Sequence, residues 1–172
     1  ETPKGHAVFR LDDHLDRLFF SAKSAKIKIP YTRQQLKKAI TQLIKADRLE
    51  TGYIRPLVYL AGDMGLNPAN NKVHVGIAAW KWGAYLGEGL TKGVKTIISN
   101  QRRADKNAMP INAKVAGNYV ASVLAKKEAV EKKADEAIML DKNGNVAECT
   151  GENIFYVKSN ILITPPLDYI LS

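Results

Sequence analysis

The sequence predicts a mixed α/β (α+β) protein made of two domains, and three observations support this. Apolar residues recur at helical spacing in two early segments and one late segment, β-rich runs stand between them, and a stretch of aromatic residues and glycines interrupts both patterns near the middle of the chain. With 172 residues, of which 45 % are hydrophobic and 25 % charged, the composition is that of a globular protein and excludes wholesale disorder.

The first domain, predicted for residues 1–81, begins with a short strand and two helices. The strand is expected at 7–10 and leads into a helix that starts near Asp12, whose carboxylate is expected to cap its first turn. Thr32 is expected to cap a second helix that extends to about Ala46. Both helices carry one apolar face, so we expect them to pack against the same core.

Two strands and a linker follow these helices. Residues 53–60 are β-rich, and residues 73–80 are apolar enough for a strand that is buried on both faces. Residues 82–93 mix aromatic residues with glycines at no regular period, which predicts an interdomain linker.

The second domain is predicted for residues 94–172. An Asn-Gly pair within 141–144 is typical of a hairpin turn. The remaining patterns predict a helix at 117–133 and strands at 94–99, 137–140, 153–157 and 161–164.

Charge, cysteine content and hydropathy exclude several classes of protein. The 26 Lys and Arg residues exceed the 17 Asp and Glu residues by nine, but most of the lysines fall on polar helix faces, which favours solvated surfaces over a nucleic-acid interface. No apolar run reaches the roughly 20 residues of a membrane helix. A single cysteine excludes an internal disulfide and fits a reducing, cytoplasmic compartment. The three histidines lack metal-ligand spacing, and no phosphate-binding glycine motif occurs.

Four polar residues stand where packing does not explain them. Lys114 lies among small and apolar residues at the start of a helix, where partial desolvation favours the neutral amine of Schiff-base chemistry; a snorkelling surface lysine is the alternative. Tyr119 follows five positions later and is either a core aromatic or a neighbour of that amine. Glu148 precedes an apolar strand and is either semi-buried beside a cation or a turn carboxylate. Arg17 is a surface ion pair unless an anion lies opposite.

Five segments together resemble a known family. AKVAGNY at 113–119 and AECTGENIF at 147–155 resemble the fold-type IV pyridoxal-phosphate enzymes, and VFRLDDHLDRL at 8–18 resembles the first helix of the branched-chain amino acid aminotransferases. YIRPL at 53–57 and WGAYLG at 82–87 favour that branch. The resemblance implies a two-domain fold like that of D-amino acid aminotransferase, with residues 94–172 belonging to a large cofactor-binding domain. It also implies an internal portion of the chain, truncated at both ends.

The resemblance assigns pyridoxal 5'-phosphate and a role to each of the four polar residues. Lys114 would bind the cofactor covalently and move the proton at the substrate α-carbon. Glu148 would pair with the pyridine nitrogen, Tyr119 with the phenolic oxygen of the ring, and Arg17 with the phosphate.

The resemblance also implies a substrate site. Tyr53 would contact the α-carboxylate with support from Arg55, while Trp82 and Tyr85 would form the wall of an aliphatic pocket. The implied reaction is amino transfer between leucine, isoleucine or valine and 2-oxoglutarate, in a homodimer or larger homo-oligomer without nucleic acid or membrane. We expect the 172 residues alone to bind the cofactor weakly or not at all and to be inactive. The alternatives are a D-amino acid aminotransferase, an aminodeoxychorismate lyase or a non-catalytic basic binding protein.

Overall fold

A computed structural model describes residues 7–83, 87 and 89–171, with the side chain of Leu90 left undescribed. The chain divides into two compact units, residues 1–85 and residues 86–172, which we call the first and second unit.

Two helices form one layer of the first unit. Helix α1 (Leu11–Ser24) and helix α2 (Arg33–Ala46) each direct one apolar face inward. The capping prediction for Thr32 is confirmed, because its side chain accepts from the amide of Gln35 and its own amide donates to the Gln35 side chain. The buried core of this unit consists of Leu15, Ala22, Ile29, Leu36 and Ile40.

The start of α1 differs from the prediction in two ways. Within the described residues 7–10 there is no strand; Phe9 and Arg10 form a turn instead, and Arg10 adopts a left-handed conformation with φ 46°. Asp12 does not cap the helix, because it already lies inside the first turn. Its carboxylate instead accepts from Lys37 Nζ at 2.8 Å, which ties α1 to α2.

A two-stranded antiparallel hairpin forms the second layer. Strands β1 (Tyr53–Ala61) and β2 (Lys72–Trp80) pair along their whole length. Ile54 and Val58 pack against the helices, whereas the alternate residues of β1 are exposed. The prediction that β2 is buried on both faces is therefore wrong, because helices cover this sheet on one side only within the described residues.

The second unit contains a three-stranded mixed sheet with one helix packed on it. After a short helix, α3 (Gly89–Lys92), strand β3 (Thr96–Arg102) runs parallel to β4 (Glu136–Leu140), and helix α4 (Tyr119–Glu131) lies between them in the chain. Strand β5 (Val146–Cys149) pairs antiparallel with β4. The helix begins later than predicted because residues 116–118 form a tighter 3-10 turn.

The hairpin turn at 141–144 is confirmed, and its Gly144 has φ 88°, which favours glycine. However, its returning strand is β5, which the sequence pattern did not predict. The strand predicted at 153–157 is wrong in its position: β6 (Tyr156–Lys158) starts later and pairs with β7 (Ile161–Ile163) in a separate hairpin. No helix in the described residues has the length and apolar character to cross a membrane.

Candidate active site

Lys114 and Tyr119 lie in contact in the second unit. The Lys114 ammonium donates to the Tyr119 hydroxyl at 2.5 Å and lies 4.8 Å from the centre of its ring. Tyr119 is the first residue of α4, and Lys114 lies on the loop that leads into it. The 3-10 turn at 116–118 keeps the two close, because it rises only about 2 Å per residue, much less than an extended chain.

Lys114 is exposed, so the expected partial desolvation of this amine is wrong in this structure. Its neighbour Ala113 is buried instead, at 1 % exposed, while the Lys114 side chain lies at the surface in contact with the phenol of Tyr119.

Glu148 lies on β5 and is buried. This agrees with the expectation of a semi-buried carboxylate beside a cation. Its Oε1 lies 2.9 Å from Arg103 Nε, and its Oε2 accepts from the amide of Leu171 at 3.0 Å. Burial raises the pKa of Glu148, while the Leu171 amide and the positive charges of Arg103 and Lys114 oppose that rise. Glu148 therefore presents a buried carboxylate that can stabilise a neighbouring positively charged group.

Arg103 is the partner of Glu148 that the sequence did not identify. It directly follows β3, and its amide donates to the carbonyl of Leu140 at the end of β4. These two parallel strands end at the same edge of the sheet, and β5 brings Glu148 to that edge. In the sequence, Arg103 is one of two adjacent arginines in a polar loop, and no local signal distinguishes the buried one from the exposed Arg102.

Asn118 holds the loop that carries Lys114. Its Nδ2 donates to the carbonyls of Pro110 and Ala113, both at 3.0 Å. The residue is buried, and its Oδ1 has no hydrogen-bond partner among the described residues. Sequence reasoning missed this clamp, although an asparagine between a glycine and a helix start is a common position for such a residue.

Several of these groups line a pocket that is partly open to solvent. Tyr119 and Glu148 line it together with Arg103 and Asn118. Glu152 also lines it, and its buried Oε1 has no partner among the described residues. The pocket therefore combines a buried carboxylate with unsatisfied acceptors, and Tyr119 connects it to Lys114. The chemistry of these groups suits a protonated ring nitrogen and an aldehyde.

Cys149 is unsuited to nucleophilic chemistry. Burial, with the nearby carboxylates of Glu136, Glu152 and Glu148, raises the pKa of its thiol to about 11. Within the residues that the structure describes, no cluster of His, Cys, Asp and Glu side chains is arranged to hold a metal ion.

Arg17 lies in the first unit, on α1. The residue is half-buried, and its Nη2 lies 3.1 Å from Nδ1 of His14, one turn earlier on the same helix. The predicted surface ion pair with Asp16 is wrong, because Asp16 pairs with Arg33 of α2 instead. Arg17 thus keeps part of its guanidinium at the protein surface.

The structure brings Tyr53, Arg55 and Trp82 together in the first unit, and adds Trp80. The centre of the Tyr53 ring lies 5.2 Å from the ring centre of Trp80 and 5.3 Å from that of Trp82. The Arg55 guanidinium lies 5.4 Å from the centre of the Tyr53 ring and 5.6 Å from that of Trp80. Trp80 was expected only as a strand end. Tyr85 lies outside the described residues.

The chain is similar to class IV aminotransferases along its whole length. Residues 3–172 match the family described as Amino-transferase class IV. The branched-chain-amino-acid aminotransferase of Pseudomonas aeruginosa is 45 % identical over 174 residues, which cover 100 % of this chain and 57 % of that protein.

Two solved structures extend the similarity to the fold. The branched-chain amino acid aminotransferase of Escherichia coli has a TM-score of 0.95 at 40 % identity, covering 99 % of this chain and 57 % of that one. The T.th. branched-chain amino acid aminotransferase complexed with N-(5'-phosphopyridoxyl)-L-glutamate has a TM-score of 0.90 at 40 % identity, covering 99 % and 55 %. The chain therefore spans a little over half the length of these relatives.

Proposed function

The chain belongs to the class IV aminotransferases, and on this basis we propose that the intact protein containing it transfers amino groups between leucine, isoleucine or valine and 2-oxoglutarate. The predicted family and fold class are confirmed. One observation supports the proposed activity: Lys114 contacts Tyr119, and Tyr119 lines one pocket of the second unit together with Glu148.

We propose that this pocket receives the ring of pyridoxal 5'-phosphate, which when bound would supply an aldehyde for the amino group and a ring that withdraws electrons. In the proposed function, Lys114 binds the aldehyde carbon and moves the proton at the substrate α-carbon. Glu148 keeps the pyridine nitrogen protonated, because a buried carboxylate stabilises a neighbouring positive charge. Tyr119 donates to the phenolic oxygen, and Arg17 binds the phosphate by charge-assisted hydrogen bonds.

We assign substrate contacts to the first unit. Tyr53 and Arg55 bind the α-carboxylate, since the arginine provides the positive charge and the phenol a hydrogen-bond donor. Trp82, supported by its contacts with Tyr53 and Trp80, forms an apolar wall for the branched side chain, and Tyr85 completes it. Such a wall discriminates weakly among three aliphatic side chains of similar volume.

The remaining features of the proposal follow from the family. We propose that residues 82–93 join the small domain to the cofactor-binding domain, and that the protein acts in the cytoplasm as a homodimer or larger homo-oligomer. Its other substrate pair is glutamate and 2-oxoglutarate. The complex of the T.th. enzyme with a phosphopyridoxyl derivative of glutamate supports both the cofactor and this partner substrate.

The deciding experiment compares Lys114→Ala with Lys127→Ala in the intact protein. Lys127 is exposed on α4, 4.0 Å from Glu131, and is the matched control. We expect Lys114→Ala to lower the turnover of L-leucine with 2-oxoglutarate by about 1000-fold or more and to abolish borohydride trapping of pyridoxal phosphate, because it removes the only amine assigned to the proton transfer. The control should retain both properties.

Three results would contradict the proposal. Full turnover in Lys114→Ala would remove the lysine from the mechanism. Turnover of D-alanine in place of L-leucine would identify a D-amino acid aminotransferase. No capture of the cofactor by the unmodified protein would favour a non-catalytic binding protein on the same fold.

A further inference from the structure

We propose that Arg103 is a positioning residue, which holds the Glu148 carboxylate ionised and links it to the loop that carries Lys114. The inference rests on the proposed function, because it concerns the two groups to which that function assigns the chemistry. The proposed function assigns Arg103 no contact with the substrate or the cofactor.

One guanidinium reaches both sides of the site. The side chains of Arg103 and Glu148 are only 6 % and 9 % exposed, with Nε and Oε1 2.9 Å apart. The other end of the guanidinium donates through Nη2 to the carbonyl of Ile111 at 3.4 Å. Ile111 lies three positions before Lys114, on the loop that Asn118 also clamps. A single planar cation therefore connects the carboxylate to the lysine loop.

Arg103 is the only buried cation among the residues that the structure describes. A carboxylate removed from water takes up a proton unless a positive charge or hydrogen bonds stabilise its ionised form. Lys114 also opposes protonation of Glu148, but it is exposed and is the amine that the reaction engages. The charge that stays beside Glu148 throughout the reaction is that of Arg103.

The alignment of the pair suits this role. Although Nε lies close to Oε1, its N–H has no aligned hydrogen-bond partner in the described part of the chain. A carboxylate has about four acceptor positions on its two oxygens, and a two-pronged arginine pair would occupy two of them. Here Arg103 contributes its charge while leaving acceptor positions on Glu148 for a protonated ring nitrogen.

The test measures the titration of Glu148 directly in the intact protein without cofactor. Glutamate labelled with ¹³C at Cδ is followed by NMR, and Glu148→Gln assigns the signal. Arg103→Met removes the charge at similar length, and Arg102→Met is the control at the exposed neighbouring position. We expect Arg103→Met to raise the pKa of Glu148 by about one unit or more, and Arg102→Met to leave it unchanged. An unchanged titration in Arg103→Met overturns the proposal.

Arg103→Lys tests the link to the lysine loop and remains informative if Arg103→Met does not fold. Lysine keeps the positive charge but lacks the planar set of N–H donors of the guanidinium. We therefore expect the pKa of Glu148 to stay within about half a unit of its value in the unmodified protein. The amides of Ala113 and Val115 should exchange with solvent several times faster. A rise of a full unit in the pKa of Glu148 would overturn the role of the Arg103 charge. Unchanged exchange of the two amides would overturn the link between Arg103 and the loop that carries Lys114.

A kinetic comparison separates this proposal from the proposed function. In Arg103→Met, the acidic limb of the pH profile of kcat/KM should move to higher pH by the shift seen in the NMR titration, because only ionised Glu148 stabilises the protonated ring. An acidic limb that stays in place while the titration moves overturns the proposal for Arg103. If instead Lys114→Ala retains its turnover, the proposed function fails, whereas the cofactor-free titration still reports whether Arg103 controls Glu148.

Discussion

The two units bury different kinds of side chain. The core of the first unit consists mainly of large aliphatic residues, of which Leu15 and Ile40 are each 1 % exposed. The buried cluster between α4 and its sheet in the second unit consists of four alanines and Met139, while Ile111 and Ile170 are buried elsewhere in this unit. Alanines let α4 approach its sheet closely but bury little apolar surface, and buried apolar surface stabilises by roughly 25 cal/mol per Å². The first unit therefore gains more from apolar burial in its core, and other interactions contribute more in the second unit.

Buried charges provide those interactions in the second unit. The described buried residues that carry a charge all belong to it: Arg103, Glu136, Asp141 and Glu148. In the first unit, the described ion pairs lie on the surface, as does the pair of Lys37 with Asp12. Exposed pairs contribute at most about 1 kcal/mol each, whereas breaking a buried pair costs roughly 3–5 kcal/mol. Two of these residues, Arg103 and Glu148, also line the pocket, and removing one partner of this buried pair would destabilise the second unit.

The largest effect should come from the core of the first unit. We expect Ile40→Ala to lower the free energy of unfolding of the 172-residue chain by about 3 kcal/mol, because it leaves a cavity in a well-packed core. Urea unfolding followed by tryptophan fluorescence reports this unit, since the two tryptophans of the chain are Trp80 and Trp82.

The same variant tests whether the units are independent. Cys149, half-buried in the second unit, is the single cysteine, so its alkylation reports opening there. We expect the rate of Cys149 alkylation to be unchanged in Ile40→Ala. Leu57 is 51 % exposed, so we expect Leu57→Ala to lower the free energy of unfolding only slightly. Faster alkylation of Cys149 in Ile40→Ala would mean that the two units unfold together.

The next effect is a dependence on pH in the second unit. Glu128 of α4 accepts from Lys132, from Ser99 and from the amide of Asn100, and these contacts lower the pKa of Glu128 to about 2. Between the ordinary value of 4.5 and about 2, the unfolded chain binds more protons than the folded chain. This contribution to stability is therefore present above 4.5 and is lost as the pH falls through about 2.

Glu128→Gln removes that dependence. Hydrogen exchange of β3 and β4, measured by mass spectrometry from neutral pH to about 2, should show that the variant is less protected than the parent at neutral pH, with the difference closing in acid. Glu131→Gln is the control, because the Glu131 side chain is 65 % exposed on the same helix. A difference that persists at the acid end would contradict the assignment to this carboxylate.

The smallest effect should come from the aromatic cluster of the first unit. Arg55→Met removes an exposed cation near Tyr53 and Trp80, and such contacts contribute about 0.5–1 kcal/mol at exposed sites. We expect a change in tryptophan emission with only a small shift of the urea midpoint. Lys72→Met, at the other end of the same sheet face, should change neither. A loss of several kcal/mol would show that this cluster stabilises the unit as strongly as its core does.

Local patterns were sufficient wherever a few neighbouring residues control the structure. The cap at Thr32 and the turn at Gly144 depend on contacts within a few positions, and both were predicted. The strands β1 and β2 were also predicted from their own residues, but their pairing joins positions up to 27 apart, as from Tyr53 to Trp80. The contact of Lys114 with Tyr119 spans only five positions, so the sequence also pointed to it. In contrast, β5 is four residues long and ends beside a buried carboxylate, which no period in the sequence identifies as a strand.

The amino-acid sequence by itself determined the family, the fold class and the candidate site residues, because specific motifs and local periodicity carry that information. Only the tertiary structure decided which groups meet. Arg103 follows β3 and Glu148 lies on β5, and they are brought together because both strands pair with β4. The buried ion pair depends on strand register and on exclusion of water, and both are properties of the folded chain rather than of any segment.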